Sequence, residues 1–193
     1  MRITAVDDKK DLFLLENVLD PELIEQFNGE DINTYKWQKQ EWQENIHRRV
    51  LIDHPTSILR RIKEQLKSVP QQINEILNTT FSRLAVYCWQ DLEGFKFGKH
   101  IDNSGVDTVM QIYIGNASTE LGTVFYKCKD EDVENIDNQQ QWSLINHDLP
   151  VRYNFKYIPN TGYLMFNNRT QAHGVTGTIQ STDKRVSCYC WIN

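Results

Sequence analysis

The sequence predicts a mainly β fold of barrel or jelly-roll type, with helices confined to its N-terminal part. Three observations carry this reading. Beyond about residue 81 the chain breaks into short runs rich in β-branched and aromatic residues: "SRLAVYCW", "TVMQIYIG", "GTVFYKC", "RYNFKYIP", "GYLMFNN" and "RVSCYCWI". Gly, Asn, Asp or Pro separates them, and no helical pattern lies between them. Helical spacing of apolar residues occurs before that point. The 193 residues suit a single domain. Within it, residues 1–83 read as helix-rich support and residues 84–193 as the β core. A polar insertion covers 127–150.

Taken in order, "DLFLLENVLDPELIEQFNG" reads as a short strand followed by a helix. Asp20 suits the N-cap, Pro21 the first turn and Gly29 the end. Residues 30–55 are polar and irregular, with Trp37 and Trp42 as expected anchors. Ile58, Ile62, Leu66 and Val69 recur at helical spacing; Pro70 breaks that helix, and Ile73, Ile76 and Leu77 continue a second one. The six strand runs follow. The insertion "KCKDEDVENIDNQQQWSLINHDLP" is too long for a plain hairpin turn, and its readings are a lid, a binding loop or a mobile segment. Its acidic residues (Asp130, Glu131, Asp132, Glu134 and Asp137) screen for a basic substrate or simply face solvent. Trp142 anchors the loop or covers a substrate.

Composition narrows the function classes. With 39% apolar residues, including 8 Phe, 8 Tyr and 5 Trp, the chain can bury a core, so disorder is not expected. The net charge is -5 and no basic run appears, which argues against a nucleic-acid partner. Near the start, the apolar run Leu12 to Leu15 is too short for a secretory signal or a membrane helix. The expectation is a soluble, cytoplasmic protein with no membrane partner. Cys88, Cys128, Cys188 and Cys190 lack zinc-type CxxC spacing and read as packed thiols.

Chemistry concentrates in "GKHIDNSGVDTVMQIYIGN". His100 and Asp102 stand two apart, so on a strand both would face one side and could grip one ion. The pair alone is a weak signal, because chance gives about 0.36 such pairs in a chain of this composition. A third ligand is needed from another strand. His173, in "QAHGV", is better placed than His47, His54 or His147. Two imidazoles and a carboxylate with open positions form the facial triad of non-haem Fe(II) oxygenases. The structural alternative is a surface His–Asp pair and a loop histidine.

The final run, "DKRVSCYCWIN", puts Arg185, Ser187, Tyr189 and Trp191 on one face. If that face is internal, Arg185 needs an anion, because an unpaired buried charge is very costly. Its planar fork suits a carboxylate, and Ser187 and Tyr189 add hydroxyls. The alternative places Val186, Cys188 and Cys190 inside and Arg185 on an outer face.

These motifs resemble the 2-oxoglutarate- and Fe(II)-dependent oxygenases, particularly the prolyl-4-hydroxylase-like branch. The matching residues are His100-Ile101-Asp102, His173 and Arg185-Val186-Ser187. Gly94 and Phe97 precede the first ligand where that branch often has Gly and an aromatic. "KHIDN", "IYIGN", "GTVFY" and "IPNTGYLMF" also match. The resemblance covers residues 84–193, and "FLLENVLDPELI" more loosely. It implies a double-stranded β-helix, or jelly roll, with helices packed on the major sheet. It implies Fe(II) held by His100, Asp102 and His173, and 2-oxoglutarate and O2 as cosubstrates. Ascorbate is the expected reductant. Arg185 would pair with the far carboxylate of 2-oxoglutarate, assisted by Ser187 or Tyr189. The branch pattern puts Ile112 and Ile114 on the inner face and Tyr113 outside.

The expected reaction is hydroxylation of a small-molecule or peptide substrate, with peptidyl or free proline favoured. Asp102 argues against halogenase chemistry. Trp191 stands where nucleic-acid demethylases of the superfamily usually carry a second arginine. The rivals are a cupin-like metal-binding protein or isomerase, and an inactive relative.

Overall fold

A computed structural model of the protein describes residues 1–40, 47–52, 57–102, 105, 107–136 and 141–193. Fourteen strands occur among them: β1 (Arg2–Ala5), β2 (Leu12–Glu16), β3 (Trp37–Lys39), β4 (Arg48–Leu51), β5 (Leu84–Asp91), β6 (Phe97–His100) and β7 (Thr108–Tyr113), then β8 (Thr123–Tyr126), β9 (Val133–Ile136), β10 (Gln141–Leu144), β11 (Val151–Phe155), β12 (Thr161–Phe166), β13 (His173–Val175) and β14 (Arg185–Ile192). The helices are α1 (Pro21–Gly29), α2 (Ser57–Leu66) and α3 (Val69–Leu77).

The helices start where local chemistry places them. Asp20 caps α1, its carboxylate accepting from Glu22 N at 3.0 Å, and Pro21 occupies the first turn, where it loses no hydrogen bond. Leu23, Ile24 and Phe27 form the buried stripe. Pro70 sits in the first turn of α3, so the break expected there is a helix start. Asn78 ends α3 in the left-handed conformation, which asparagine tolerates.

The strands form a large antiparallel sheet in the order β1-β2-β12-β7-β14-β5-β4-β3 and a small one in the order β11-β8-β13-β6. This pair of sheets is a jelly-roll arrangement. Both faces of the large sheet are covered. Met110 and Ile112 of β7, with Val186, Cys188, Cys190 and Ile192 of β14, share one apolar cluster with residues of all three helices. On the opposite face, Val109, Tyr113, Tyr163 and Met165 cluster with Phe125 and Phe155 of the small sheet. That inter-sheet layer contains the cavity described below.

Several expectations change at the level of elements. The segment expected to be irregular over 30–55 supplies β3 and β4, an antiparallel pair that extends the large sheet beside β5. The insertion folds into the β9–β10 hairpin. Val133, Leu144 and Leu149 pack with Val124 and Tyr126 on the outer side of the small sheet. Asp132 is held by Asn146 and the Lys129 amide, and Asp130 pairs with Arg169. The insertion is therefore anchored away from the cavity in its described part. Trp42, His54, Asp137 and the Trp142 side chain lie outside the described residues. All four cysteines are buried free thiols. No helix among the described residues is long and apolar enough to cross a membrane.

Candidate metal centre and carboxylate subsite

His100 and His173 meet because β6 and β13 pair antiparallel with these two residues directly opposite. Their ring centroids are 4.3 Å apart. Phe97 packs on His100 at 3.8 Å, and Phe125 stacks on His173 at 5.1 Å, which holds both rings in place. Each Nδ1 lies 2.9 Å from a backbone carbonyl, Gly98 O for His100 and Gln171 O for His173. A carbonyl can only accept, so both Nδ1 atoms carry the proton. Both Nε2 lone pairs are then free to bind an ion.

Asp102 completes the cluster, though not through strand alternation. His100 is the last residue of β6, and Asp102 lies two residues past the strand end. Its Oδ1 stands 3.5 Å from His100 Nε2 and 3.7 Å from His173 Nε2. One donor atom from each of the three residues falls within 4.8 Å of the others. Tyr189 donates its hydroxyl to the second oxygen, Asp102 Oδ2, at 2.9 Å. The carboxylate is thus divided: Oδ2 is engaged by protein and Oδ1 faces the imidazoles.

Electrostatics suit a divalent cation. Burial pushes His173 down to about 4, and neighbouring His100 acts in the same direction, so His173 is neutral at neutral pH. Burial opposes ionisation of Asp102, but the imidazoles and the Tyr189 hydroxyl outweigh it and hold its carboxyl well below the usual range. Neutral nitrogen donors and an ionised oxygen donor are the forms that bind metal.

The cluster opens on a cavity of about 640 Å³. Arg185 lines the same cavity and is 1% exposed. The internal placement of the Arg185–Ser187–Tyr189 face therefore holds, and the apolar face is buried too, against the helices. The two faces do not compete, because the sheet is covered on both sides.

Within the chain the three residues have partners of their own. Arg185 pairs with Asp91 through Nη1, and its Nε donates to Leu121 O at 2.7 Å. Its Nη2 is buried and has no hydrogen-bond partner among the described residues. Ser187 Oγ accepts from Gln111 Nε2 at 2.8 Å, and Tyr163 donates to Gln111 Oε1 at 2.8 Å. Tyr189 donates to Asp102.

Tyr113 corrects the branch pattern. It is fully buried between the sheets and donates to Thr123 Oγ1 at 2.9 Å, whereas Ile112 and Ile114 face the helices. Strand alternation alone carries that assignment, since Tyr113 lies opposite Ser187 on β14.

Asp91 and Arg48 are site residues that the sequence did not single out. Both occur in charged stretches with no motif, and only the register of β4, β5 and β14 brings them to Arg185. Of the other histidines considered, His47 packs beside Gly94, which has φ +80, and the His147 carbonyl accepts from Lys99.

No family model and no curated protein matches this sequence. Solved structures do match in fold. A Pseudomonas putida prolyl-4-hydroxylase is 12% identical with a TM-score of 0.64, covering 98% of this chain and 96% of that one. The non-heme α-ketoglutarate-dependent epimerase SnoN from nogalamycin biosynthesis is 8% identical with a TM-score of 0.65, covering 94% and 78%. HygX from Streptomyces hygroscopicus, solved with nickel and 2-oxoglutarate bound, is 14% identical with a TM-score of 0.60, covering 94% and 82%. The chain thus has the fold of 2-oxoglutarate- and iron-dependent oxygenases, prolyl-4-hydroxylases among them.

Proposed function

We propose that the protein is a 2-oxoglutarate- and Fe(II)-dependent dioxygenase on a double-stranded β-helix. The observation that carries this is one cavity with two complementary features. One is a two-histidine, one-carboxylate donor set; the other is a buried guanidinium whose Nη2 has no partner among the described residues. The residues fit both groups. His100 Nε2, His173 Nε2 and Asp102 Oδ1 would hold the metal, and Arg185 Nη2 would take the far carboxylate of 2-oxoglutarate. Ser187 is a further hydroxyl on the same strand face. The solved relatives with nickel or Fe3+ and the cosubstrate bound support the same pairing of ligands.

Bound iron with 2-oxoglutarate supplies O2 activation coupled to decarboxylation of the cosubstrate to succinate and CO2, with ascorbate as a reductant. The chain's own part is to position and to exclude water. Backbone carbonyls fix the histidine tautomers, Tyr189 fixes the carboxylate, and Phe97 and Phe125 pack against the two imidazoles. We assign hydroxylation as the outcome and peptidyl or free proline as the favoured substrate, on the likeness to prolyl-4-hydroxylases. The cavity mouth, with Tyr87, Trp89 and Trp191, offers a neutral aromatic wall to such a ring. The remaining expectations, a cytoplasmic location and no nucleic-acid or membrane partner, belong to this proposal.

One observation favours a second reading, a cupin-like metal-binding protein or isomerase. Arg185 already has an internal counter-ion in Asp91, so it does not strictly need a ligand. Anaerobic addition of Fe(II), then titration of 2-oxoglutarate, separates the two through the visible charge-transfer band of the chelate. The dioxygenase gives a band in the wild type and none in His173→Ala. Arg185→Ala should retain the metal and bind 2-oxoglutarate more weakly by about 2–5 kcal/mol, the usual loss for one partner of a buried charge pair. No band in folded, metal-loaded wild type selects the second reading.

A further inference from the structure

Three adjacent strands carry Arg48, Asp91 and Arg185 in one row across the cavity face of the large sheet. Asp91 of β5 lies directly opposite Arg185 of β14 on one side and Arg48 of β4 on the other. Its Oδ2 accepts from Arg185 Nη1 and its Oδ1 from Arg48 Nε, so both carboxylate oxygens are engaged. The Asp91 and Arg185 side chains are each 1% exposed and that of Arg48 is 13% exposed. The Arg48 guanidinium also lies over the rings of Phe95 and Trp89, at 4.6 and 5.2 Å, which adds cation–π contacts to its ion pair.

The charges of this row decide what it can bind. An Arg185–Asp91 pair alone is neutral, and its carboxylate would repel a second one arriving at the same guanidinium. Arg48 changes the sum: two guanidinium groups and one carboxylate leave one positive charge. The orphan donor of the row, Arg185 Nη2, is where that surplus can be used. The neighbouring tyrosines leave it open: Tyr157 Oη already accepts from Gly115 N and Val186 N, and no bond from Arg185 Nη2 to Tyr113 occurs among the described residues.

We propose that Arg48 is a positioning residue that selects dicarboxylates, acting through Asp91. It neutralises Asp91 while leaving Asp91 in place to orient Arg185, so that a far carboxylate meets a fixed guanidinium carrying a net charge. This rests on the 2-oxoglutarate reading of the site. It adds that selectivity for the second carboxylate is set two strands away from the arginine that would touch it.

The test compares 2-oxoglutarate with 2-oxopentanoate, which has the same chain length and chelating end but lacks the far carboxylate. Both are titrated anaerobically into Fe(II)-loaded wild type, Arg48→Gln, Asp91→Asn and the double variant, with the charge-transfer band as readout and circular dichroism as the check on folding. Arg48→Gln should weaken 2-oxoglutarate at least tenfold and leave 2-oxopentanoate unchanged. Asp91→Asn, which loses the ion pairs that orient Arg185, is the reference arm, and the double variant should bind 2-oxoglutarate more tightly than Arg48→Gln because it restores the net positive charge. That recovery is a charge-specific coupling which a packing role cannot produce.

Equal weakening of both ligands in Arg48→Gln overturns the proposal, as does a double variant no better than the single one. If Arg48→Gln does not fold, Arg48→Lys takes its place: it keeps the charge and should keep the preference for 2-oxoglutarate over 2-oxopentanoate, and loss of that preference overturns the proposal. Wild type that binds metal and neither ligand overturns the dioxygenase reading itself, and this inference with it.

Discussion

At Asp102, a single hydroxyl divides the work of a carboxylate. Tyr189 holds Oδ2 at 2.9 Å, and Oδ1 is the oxygen nearest both imidazoles. Tyr189→Phe removes that bond and keeps the ring. Groups that orient a metal ligand are typically worth about 10–100-fold in affinity. Tyr189→Phe should therefore weaken Fe(II) or Co(II) binding within that range, read by anaerobic metal titration, with little change in thermal stability. Unchanged metal affinity would return Tyr189 to the cosubstrate role expected from its sequence position. Alternation on β14 shows which face Tyr189 shares with Arg185, but not which partner within the chain its hydroxyl reaches.

At the scale of elements, β7 and β12 show how little room the large sheet leaves. Gly162 lies opposite Ile112, and a Cβ built there would stand 1.8 Å from Gln111 O. That neighbour is backbone and cannot rotate away. Gly162→Ala should push β12 from β7, lowering thermal stability by more than the roughly 1–3 kcal/mol of ordinary overpacking. A melting temperature within a degree or two of wild type would mean the strands separate freely. The longer strands, β5, β7, β12 and β14, were legible in the sequence because runs of six to eight residues rich in β-branched and aromatic side chains give a strand signal. Strands β3, β6 and β13 have three or four residues, too few to show one. The three residues of the candidate metal centre were legible by residue type and order. Asp91 and Arg48 were not, since nothing in a linear sequence says that β4 and β14 flank β5.

Across the whole molecule, Arg152 of β11 joins the small sheet to the β1–β2 turn. It donates to Asp7 at 2.7 and 2.8 Å and to Asp11 at 2.6 Å. The Arg152 hydrogen bond lowers the Asp7 carboxyl from its ordinary value, so Asp7 contributes stability above its unfolded pKa of about 3.9 and loses it as pH falls through the folded value. The melting-temperature gap between wild type and Arg152→Met should be constant at neutral pH and narrow on acidification below about pH 4. A gap that persists at low pH would assign the link to packing alone.

The place of β14 between β7 and β5 has a consequence for synthesis. Arg185 and Asp91 are 94 residues apart, so β5 waits for its partner while those residues are made, roughly 5–20 s at common elongation rates. Until then β1-β2-β12-β7 and β5-β4-β3 are separate blocks, each with a raw edge open to pairing with another chain. The strand that carries the arginine and the tyrosine of the site is also the one that closes those edges. Nascent chains lacking it should depend most on chaperones, and slow passage through residues 91–185 should favour aggregation.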